Sequence, residues 1–286
     1  MKLICGNRVL DLSSPLVMGV LNVTPDSFYD GGSYCDSEHL LMDKIVSSAA
    51  NMVAQGAAII DIGGESTRPG ASPVSIQEEC DRVLPVVERL GQEVDVVLSV
   101  DTSTPEVMTG AAGLGVGIIN DVRALERPGA LEAAIATQLP ICLMHMQGTP
   151  ATMQDNPHYA DASRDVREYL QARVNAVLAG AVAAGLSAPQ LLLDPGFGFG
   201  KTDEHNLALL RGLAELQVLG YPLLVGFSRK SMIGRLLGRE PDERLAGSLA
   251  LAMLSVQRGA SIVRVHDVAE TRDVLKLLQI IESGSV

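Results

Sequence analysis

Cations, carboxylates and amides stand at the ends of short apolar runs along this chain, and their types suit the handling of an anionic, nitrogen-rich substrate. LLVGFSRKSMIG at 223 to 234 leaves a buried run through Ser228, Arg229, Lys230 and Ser231 toward a helix whose first amides lack partners. A helix amino terminus beside cations is a ready anion site. IVRVH at 262 to 266 adds Arg264 and His266, two residues apart and therefore on one face of a strand. Together these read as a phosphate or diphosphate clamp, although any one of the charges alone is more simply a solvated loop residue. Asp101 and Asp194 end two further runs, and Asn120 stands next to last in a third. Such a ring suits a flat heterocycle with several N–H donors, because a site that must hydrogen-bond buried donors discriminates against analogues lacking them. Taken singly, each of the three is as readily a helix cap. Asn22, within NVTPDSF, is an oxygen ligand suited to Mg²⁺ shared with phosphate oxygens, since this ion takes few protein ligands. His145, between Met144 and Met146, reads as a core or rim residue rather than a catalytic one.

The elements that must carry these groups alternate. Eight runs, at 16 to 22, 57 to 65, 96 to 101, 117 to 121, 141 to 145, 191 to 194, 223 to 230 and 262 to 266, are rich in aliphatic and β-branched residues. Most are separated by an amphipathic stretch long enough for a helix. Strict strand and helix alternation means a parallel sheet, and eight repeats predict an α/β fold, a closed (β/α)8 TIM barrel. Barrels of this kind carry their active sites at the carboxyl ends of the strands, where all of the residues above would meet. Residues 3 to 5 and 8 to 12 flank Gly6 and Asn7, which predicts a short amino-terminal β-hairpin that plugs the barrel bottom. All 286 residues are expected to form a single domain.

Two long polar segments interrupt the alternation on the catalytic face. TPDSFYDGGSYCDSE follows the first barrel strand and precedes a helix from about 37 to 55; STRPGASPVS follows the second and precedes a helix around 76 to 90, opened by Ser75 with Glu78 as a capping box. They read as two flaps over the barrel mouth. A helix beginning near Pro105, a long one from about 162 to 184 ending near Gly185, and two Ala- and Leu-rich ones at about 242 to 258 and 269 to 282 complete the set. The apolar surplus of the last two is either ordinary packing onto the barrel or, as the preferred reading, a homodimer face.

Composition excludes other classes. The formal net charge of −12, with basic residues dispersed, lacks the footprint of a nucleic-acid binder. Cys5, Cys35, Cys80 and Cys142 are widely spaced, without a metal-ligand or disulfide pattern, which suggests a reducing cytoplasm. No run of about 18 apolar residues predicts a membrane span or a cleaved signal. HExxH, GxSxG and Walker A motifs are absent, and GFGFG at 196 to 200 lacks the GxGxxG spacing of a dinucleotide site.

The strand-end motifs MGVLNVTPDSF (18 to 28), DIGGESTRPGA (61 to 71), SVDTSTPEV (99 to 107), GIINDVRAL (117 to 125), LMHMQGTP (143 to 150), LLLDPGFGFGK (191 to 201), GFSRKSMIG (226 to 234) and IVRVHDV (262 to 268) closely resemble those of the dihydropteroate synthase family, in order and over nearly the whole chain. The resemblance implies transfer of a 7,8-dihydropterin-6-ylmethyl group from its diphosphate ester to 4-aminobenzoate, giving 7,8-dihydropteroate and diphosphate. It also implies residue roles. Asp101, Asn120, Asp194 and Lys230 would hold the pterin, Arg264 would flank its ring and Met144 would pack below it. Thr67, Arg264, His266 and, through Mg²⁺, Asn22 would hold the diphosphate. Phe28, Arg68, Pro69, Phe199, Lys230 and Ser231 would form the 4-aminobenzoate pocket, which sulfonamide-type inhibitors would also use. Lys230, Arg264, His266 and Asp101 are the expected catalytic set. Tyr29 and Phe227 depart from the residues common at those positions without removing a functional group. A folate-dependent methyltransferase barrel or a noncatalytic pterin-binding paralogue would share the ring acceptors; the former has no need of the cations after strands seven and eight.

Overall fold

The computed structural model describes residues 1–24, 37–66 and 74–284, without the side chains of 37–40. Two antiparallel strands, β1 (Lys2–Cys5) and β2 (Arg8–Asp11), form a hairpin apart from the main sheet. The barrel follows: β3 (Leu16–Asn22), α1 (Ser37–Ala54), β4 (Ile59–Gly63), α2 (Ile76–Glu93), β5 (Val97–Asp101), α3 (Pro105–Gly113), β6 (Ile118–Asp121), α4 (Ala130–Ala136), β7 (Ile141–Met144), α5 (Ala162–Ala183), β8 (Leu191–Asp194) and α6 (Asp203–Arg211). A 3₁₀ segment (Leu213–Leu219) leads to β9 (Leu223–Val225), α7 (Ser231–Leu237), α8 (Leu245–Gln257), β10 (Ala260–Val265) and α9 (Val268–Ser283). Strands β3 to β10 are parallel and close into a barrel in sequence order, β10 pairing with both β9 and β3. The (β/α)8 architecture and the amino-terminal hairpin are both as the sequence predicts.

Strand pleating decides where each side chain goes. Val17, Ile60, Leu98, Ile119, Ile141, Leu191, Leu223 and Val263 point outward into a core shared with the helices. Their neighbours Met18, Ile59, Val97, Ile118, Cys142, Leu192, Leu224 and Ile262, one from each strand, meet inside the barrel and pack with Leu3, Cys5 and Leu10 of the hairpin. The hairpin therefore closes the amino-terminal end, tied down where Gln190 accepts from the Ile4 amide at 2.6 Å and donates to the Lys2 carbonyl at 3.0 Å.

Two local expectations differ from the structure. Ser75 does cap α2, accepting from the Glu78 amide at 3.2 Å, but the Glu78 carboxylate pairs with Arg82 in the next turn, so the capping box is half formed. The seventh barrel strand ends at Val225, and residues 226–230 form a turn with Arg229 in the left-handed region at φ 56°. Lys230 thus enters the site from a turn rather than a strand.

Candidate active site

Two residues beyond the apolar inner layer, the same strands turn polar. Period-two alternation carries Ile59 to Asp61, Val97 to Ser99 and Asp101, Ile118 to Asn120, Leu192 to Asp194 and Ile262 to Arg264. Asp61 is fully buried (0 % exposed) and accepts from Ser99 Oγ at 2.6 Å, Asn120 Nδ2 at 3.0 Å and Arg264 Nε at 2.6 Å. The second arm of Arg264 reaches Asp101 Oδ2 at 2.8 Å. One guanidinium thereby joins three strands through two carboxylates, the fork geometry that Arg supplies and Lys does not. Burial alone would lower the Arg264 pKa, but Asp61 and Asp101 hold it above its usual value. Burial pushes Asp101 up to about 7, with Arg264 opposing the shift and Asp61 adding to it.

A cleft opens above this network. It encloses about 510 Å³ of space, solvent at its mouth included, and is lined by Val20, Asp101, Asn120, Val122, Met144, Asp194, Phe199, Gly226, Ser228, Lys230, Arg264 and His266. A more open groove on the outer surface, lined in part by Arg167, Glu168 and Val218, contains none of these groups.

Lys230 and Asp194 also line the cleft and influence each other by charge. Burial pushes Lys230 down to about 8, with Asp194 opposing, and burial raises Asp194, with Lys230 opposing. Gly196 donates its amide to Asp194 Oδ1 at 2.7 Å. The Lys230 ammonium donates to the Phe197 carbonyl and lies 4.5 Å from the centre of the Phe199 ring. His266 is exposed at the end of β10, its ring Nδ1 3.0 Å from Ser228 Oγ, which also accepts the His266 amide at 3.1 Å.

The structure thus brings together Asp101, Asn120, Met144, Asp194, Phe199, Lys230, Arg264 and His266. Asn22 stands half-buried at the end of β3, its amide oxygen 3.9 Å from where a Cβ on Gly63 would lie, on the same side as Asp101 Oδ2 at 3.7 Å. Ser231 is exposed on the first turn of α7 and does not line the cleft. Arg229 turns away to Asp267, its Nε 3.0 Å from Oδ2. Phe28, Thr67, Arg68 and Pro69 lie outside the described residues.

His145 is a structural residue, as its Met-flanked position predicts. It is buried against Tyr159 and Tyr169, and burial, then the neighbouring Lys201 amine, pushes its pKa down to about 2, so the ring is neutral. By sequence Asp61 belongs with the polar strand ends that converge on the barrel mouth, whereas nothing there singles out Ser99 or Lys201. Ser99 carried a usable signal all the same, since, like Asp61, it lies two residues after an inward apolar residue and so within the barrel.

A model of pterin binding enzymes matches residues 18–266, from the first barrel strand to the end of the last. A dihydropteroate synthase of Escherichia coli K12 is 53% identical over 279 residues, spanning 98% of this chain and 96% of that one. The chain belongs to the dihydropteroate synthases, within the pterin-binding enzymes. Among solved members, a Yersinia pestis dihydropteroate synthase in complex with a sulfonamide drug superposes with a TM-score of 0.90 at 52% identity, covering 99% of this chain and 100% of that one. A Xanthomonas albilineans dihydropteroate synthase is known with 4-aminobenzoic acid (TM-score 0.89, 47% identity, 99% and 98% coverage) and with 7,8-dihydropteroate (TM-score 0.86, 43% identity, 99% coverage of each chain). Membership in the dihydropteroate synthases accords with a barrel whose polar groups are concentrated at one end.

Proposed function

We propose that this cleft joins a 7,8-dihydropterin-6-ylmethyl diphosphate to 4-aminobenzoate, releasing diphosphate and forming 7,8-dihydropteroate. The observation that carries the reading is the convergence of Asp101, Asn120, Asp194, Lys230, Arg264 and His266 on one cleft. In this assignment Asp101, Asn120 and Asp194 accept and donate along the polar edge of the pterin, and Met144 packs against its face. Lys230 faces a pterin acceptor and bounds the 4-aminobenzoate side with Phe199. Arg264 and His266 oppose the diphosphate, joined by Thr67. Phe28, Arg68 and Pro69 complete the 4-aminobenzoate pocket, where sulfonamide-type inhibitors compete, while Ser231, exposed outside the cleft lining, is left without a contact to it.

No side chain needs to act as a nucleophile. The pterin releases electron density toward its methylene carbon as the carbon–oxygen bond to diphosphate breaks; the amine nitrogen then forms the new bond and loses a proton. Arg264 and His266 stabilise the departing negative charge, and Asp101 and Asp194 stabilise the positive charge left on the ring, fixed charges being most effective in a site that excludes water. Asn22, whose amide oxygen is a hard donor at the end of β3, would hold Mg²⁺, which would supply charge neutralisation to the diphosphate. The chain is read as one barrel domain. Exposed Leu277 and Ile281 on α9, with half-buried Leu249 and Met253 on α8, support a homodimer through the last helices. No described helix is long and apolar enough to cross a membrane, and the dispersed cysteines favour the cytoplasm.

The test is to incubate the protein with dihydropterin diphosphate and Mg²⁺, with and without 4-aminobenzoate, measuring diphosphate and dihydropteroate together. Matched, 4-aminobenzoate-dependent production is expected, with chelation of Mg²⁺ slowing both. Pterin binding with neither product would instead mark a noncatalytic relative and remove the roles given to Arg264 and His266.

A further inference from the structure

Lys201 is the most deeply buried lysine among the described residues, 1% exposed, with burial pushing its pKa well down, and it does not line the cleft. Its amino group has an acceptor for each N–H: the Gly196 carbonyl at 2.8 Å, the Phe199 carbonyl at 3.1 Å and His145 Nδ1 at 2.9 Å. These partners lie on two different strand ends, His145 following β7 and residues 196 and 199 following β8. The two segments touch directly. A Cβ on Gly196, at φ 67°, would stand 1.8 Å from the His145 carbonyl, and one on Gly200, at φ 61°, would stand 2.5 Å from the Gln147 carbonyl. Any side chain there would force the segments apart, so the glycines permit the approach and Lys201 ties it.

The other side of the same turn faces the reaction. Phe197 offers its carbonyl to Lys230, the Phe199 ring lies beneath the Lys230 ammonium, and the Gly196 amide holds Asp194. We propose that Lys201 is a positioning residue for the 4-aminobenzoate side of the reaction: from beneath, it clamps the turn between β8 and α6 to the end of β7, and so sets where Phe199 stands. Tyr159 assists from the flank, donating its hydroxyl to the Gly200 carbonyl at 2.7 Å. The inference rests on the assignment of Phe199 to the 4-aminobenzoate pocket.

Lys201→Met keeps the length of the side chain and removes the donors. Steady-state kinetics are expected to show KM for 4-aminobenzoate raised about tenfold while KM for the pterin diphosphate moves less than about twofold, since displacement of a positioning group by a fraction of an ångström is felt at the substrate it orients. A purely structural role would lower the melting temperature and the active fraction with both KM values unmoved, and that result overturns the proposal. Phe199→Ala and the double variant complete a cycle. If Lys201 acts through Phe199, adding Lys201→Met to Phe199→Ala raises KM no further; additive effects overturn the proposal. Should Phe199→Ala leave KM for 4-aminobenzoate unchanged, the pocket assignment itself falls, and this inference with it. Where Lys201→Met does not fold, Tyr159→Phe is measured instead: a smaller rise in the same KM alone supports the clamp, and unchanged kinetics overturn it.

Discussion

At the amino-terminal end of the barrel the inward side chains are Met18, Ile59, Val97, Ile118, Cys142, Leu192, Leu224 and Ile262, sealed by the hairpin's Leu3, Cys5 and Leu10. Two residues later, along the same strands, they are Val20, Asp61, Ser99, Asn120, Met144, Asp194, Gly226 and Arg264. Except at Gly226, just past the end of β9, the strand backbone continues through both levels, and only the residue types change. The bottom layer gains its stability from removing apolar surface from water. The upper layer buries charge, which is costly unless every group is paired, and no buried side-chain polar atom among the described residues lacks a hydrogen-bond partner. Stability is thus concentrated below and poised charge above.

Arg264→Met should break this division most severely. It strands Asp61, wholly buried, without its cation, and removing one partner of such a pair costs about 3–5 kcal/mol of stability in addition to the loss of turnover. Denaturant unfolding of Arg264→Met and of Arg264→Met with Asp61→Asn checks it: the double variant should regain stability and remain inactive. If the single variant is as stable as the parent, the upper network is not an obligate charge pairing.

Lys230→Ala sharpens the contrast from the functional side. Turnover should fall by about 10²–10³, the usual consequence of removing one preorganised charge from a reacting site, with a far smaller change in melting temperature. Near-normal turnover would remove Lys230 from the site. Leu3→Ala probes the opposite end: a loss of about 2–4 kcal/mol on unfolding is expected from deleting a fully buried leucine, with kcat/KM of the folded protein unchanged. A kinetic effect there would mean that the plug and the cleft are coupled.

The smallest expected effect is in pH dependence. Asp101 is pushed up from an ordinary 3.8 to about 7 by burial, so between these values the folded state holds a proton that the unfolded chain has released, and its contribution to stability is lost as pH rises. Lys230, pushed down from 10.5 to about 8 by burial, acts in the opposite sense: between pH 8 and 10.5 the unfolded chain binds more protons and stability rises with pH. Substrate capture needs Asp101 ionised and Lys230 protonated, so kcat/KM should be bell-shaped, with limbs near 7 and 8. Lys230→Arg should carry the alkaline limb out of the accessible range; a limb that stays in place belongs to another group.

Much of this was legible in the residues. The runs ending at Asn22, Asp101, Asp194 and His266 are strands, with Asn22, Asp101 and Asp194 their last residues and Arg264 next to last, because the apolar and polar character along a strand is a local property. The helix starting at Pro105 and the hairpin around Gly6 follow from equally local chemistry. The seventh strand was harder: GFSRK continues an apolar run, yet the chain turns at Arg229, where the guanidinium is drawn to Asp267, 38 residues on. Ser231 sits at its predicted helix start but on the surface, since helical phase within so short an element is set by its neighbours.

By itself the sequence determined the eightfold alternation, the end of the barrel at which chemistry occurs and the residue types available there, all of which depend on spacing along the chain. Tertiary structure decided the partnerships: that Arg264 bridges Asp61 and Asp101, that Lys230 and Asp194 line one cleft, and that Lys201 ties two strand ends together out of sight of the substrate. Residues as far apart as 61 and 264 become neighbours only when the sheet closes on itself, and burial then sets how each charge is paired.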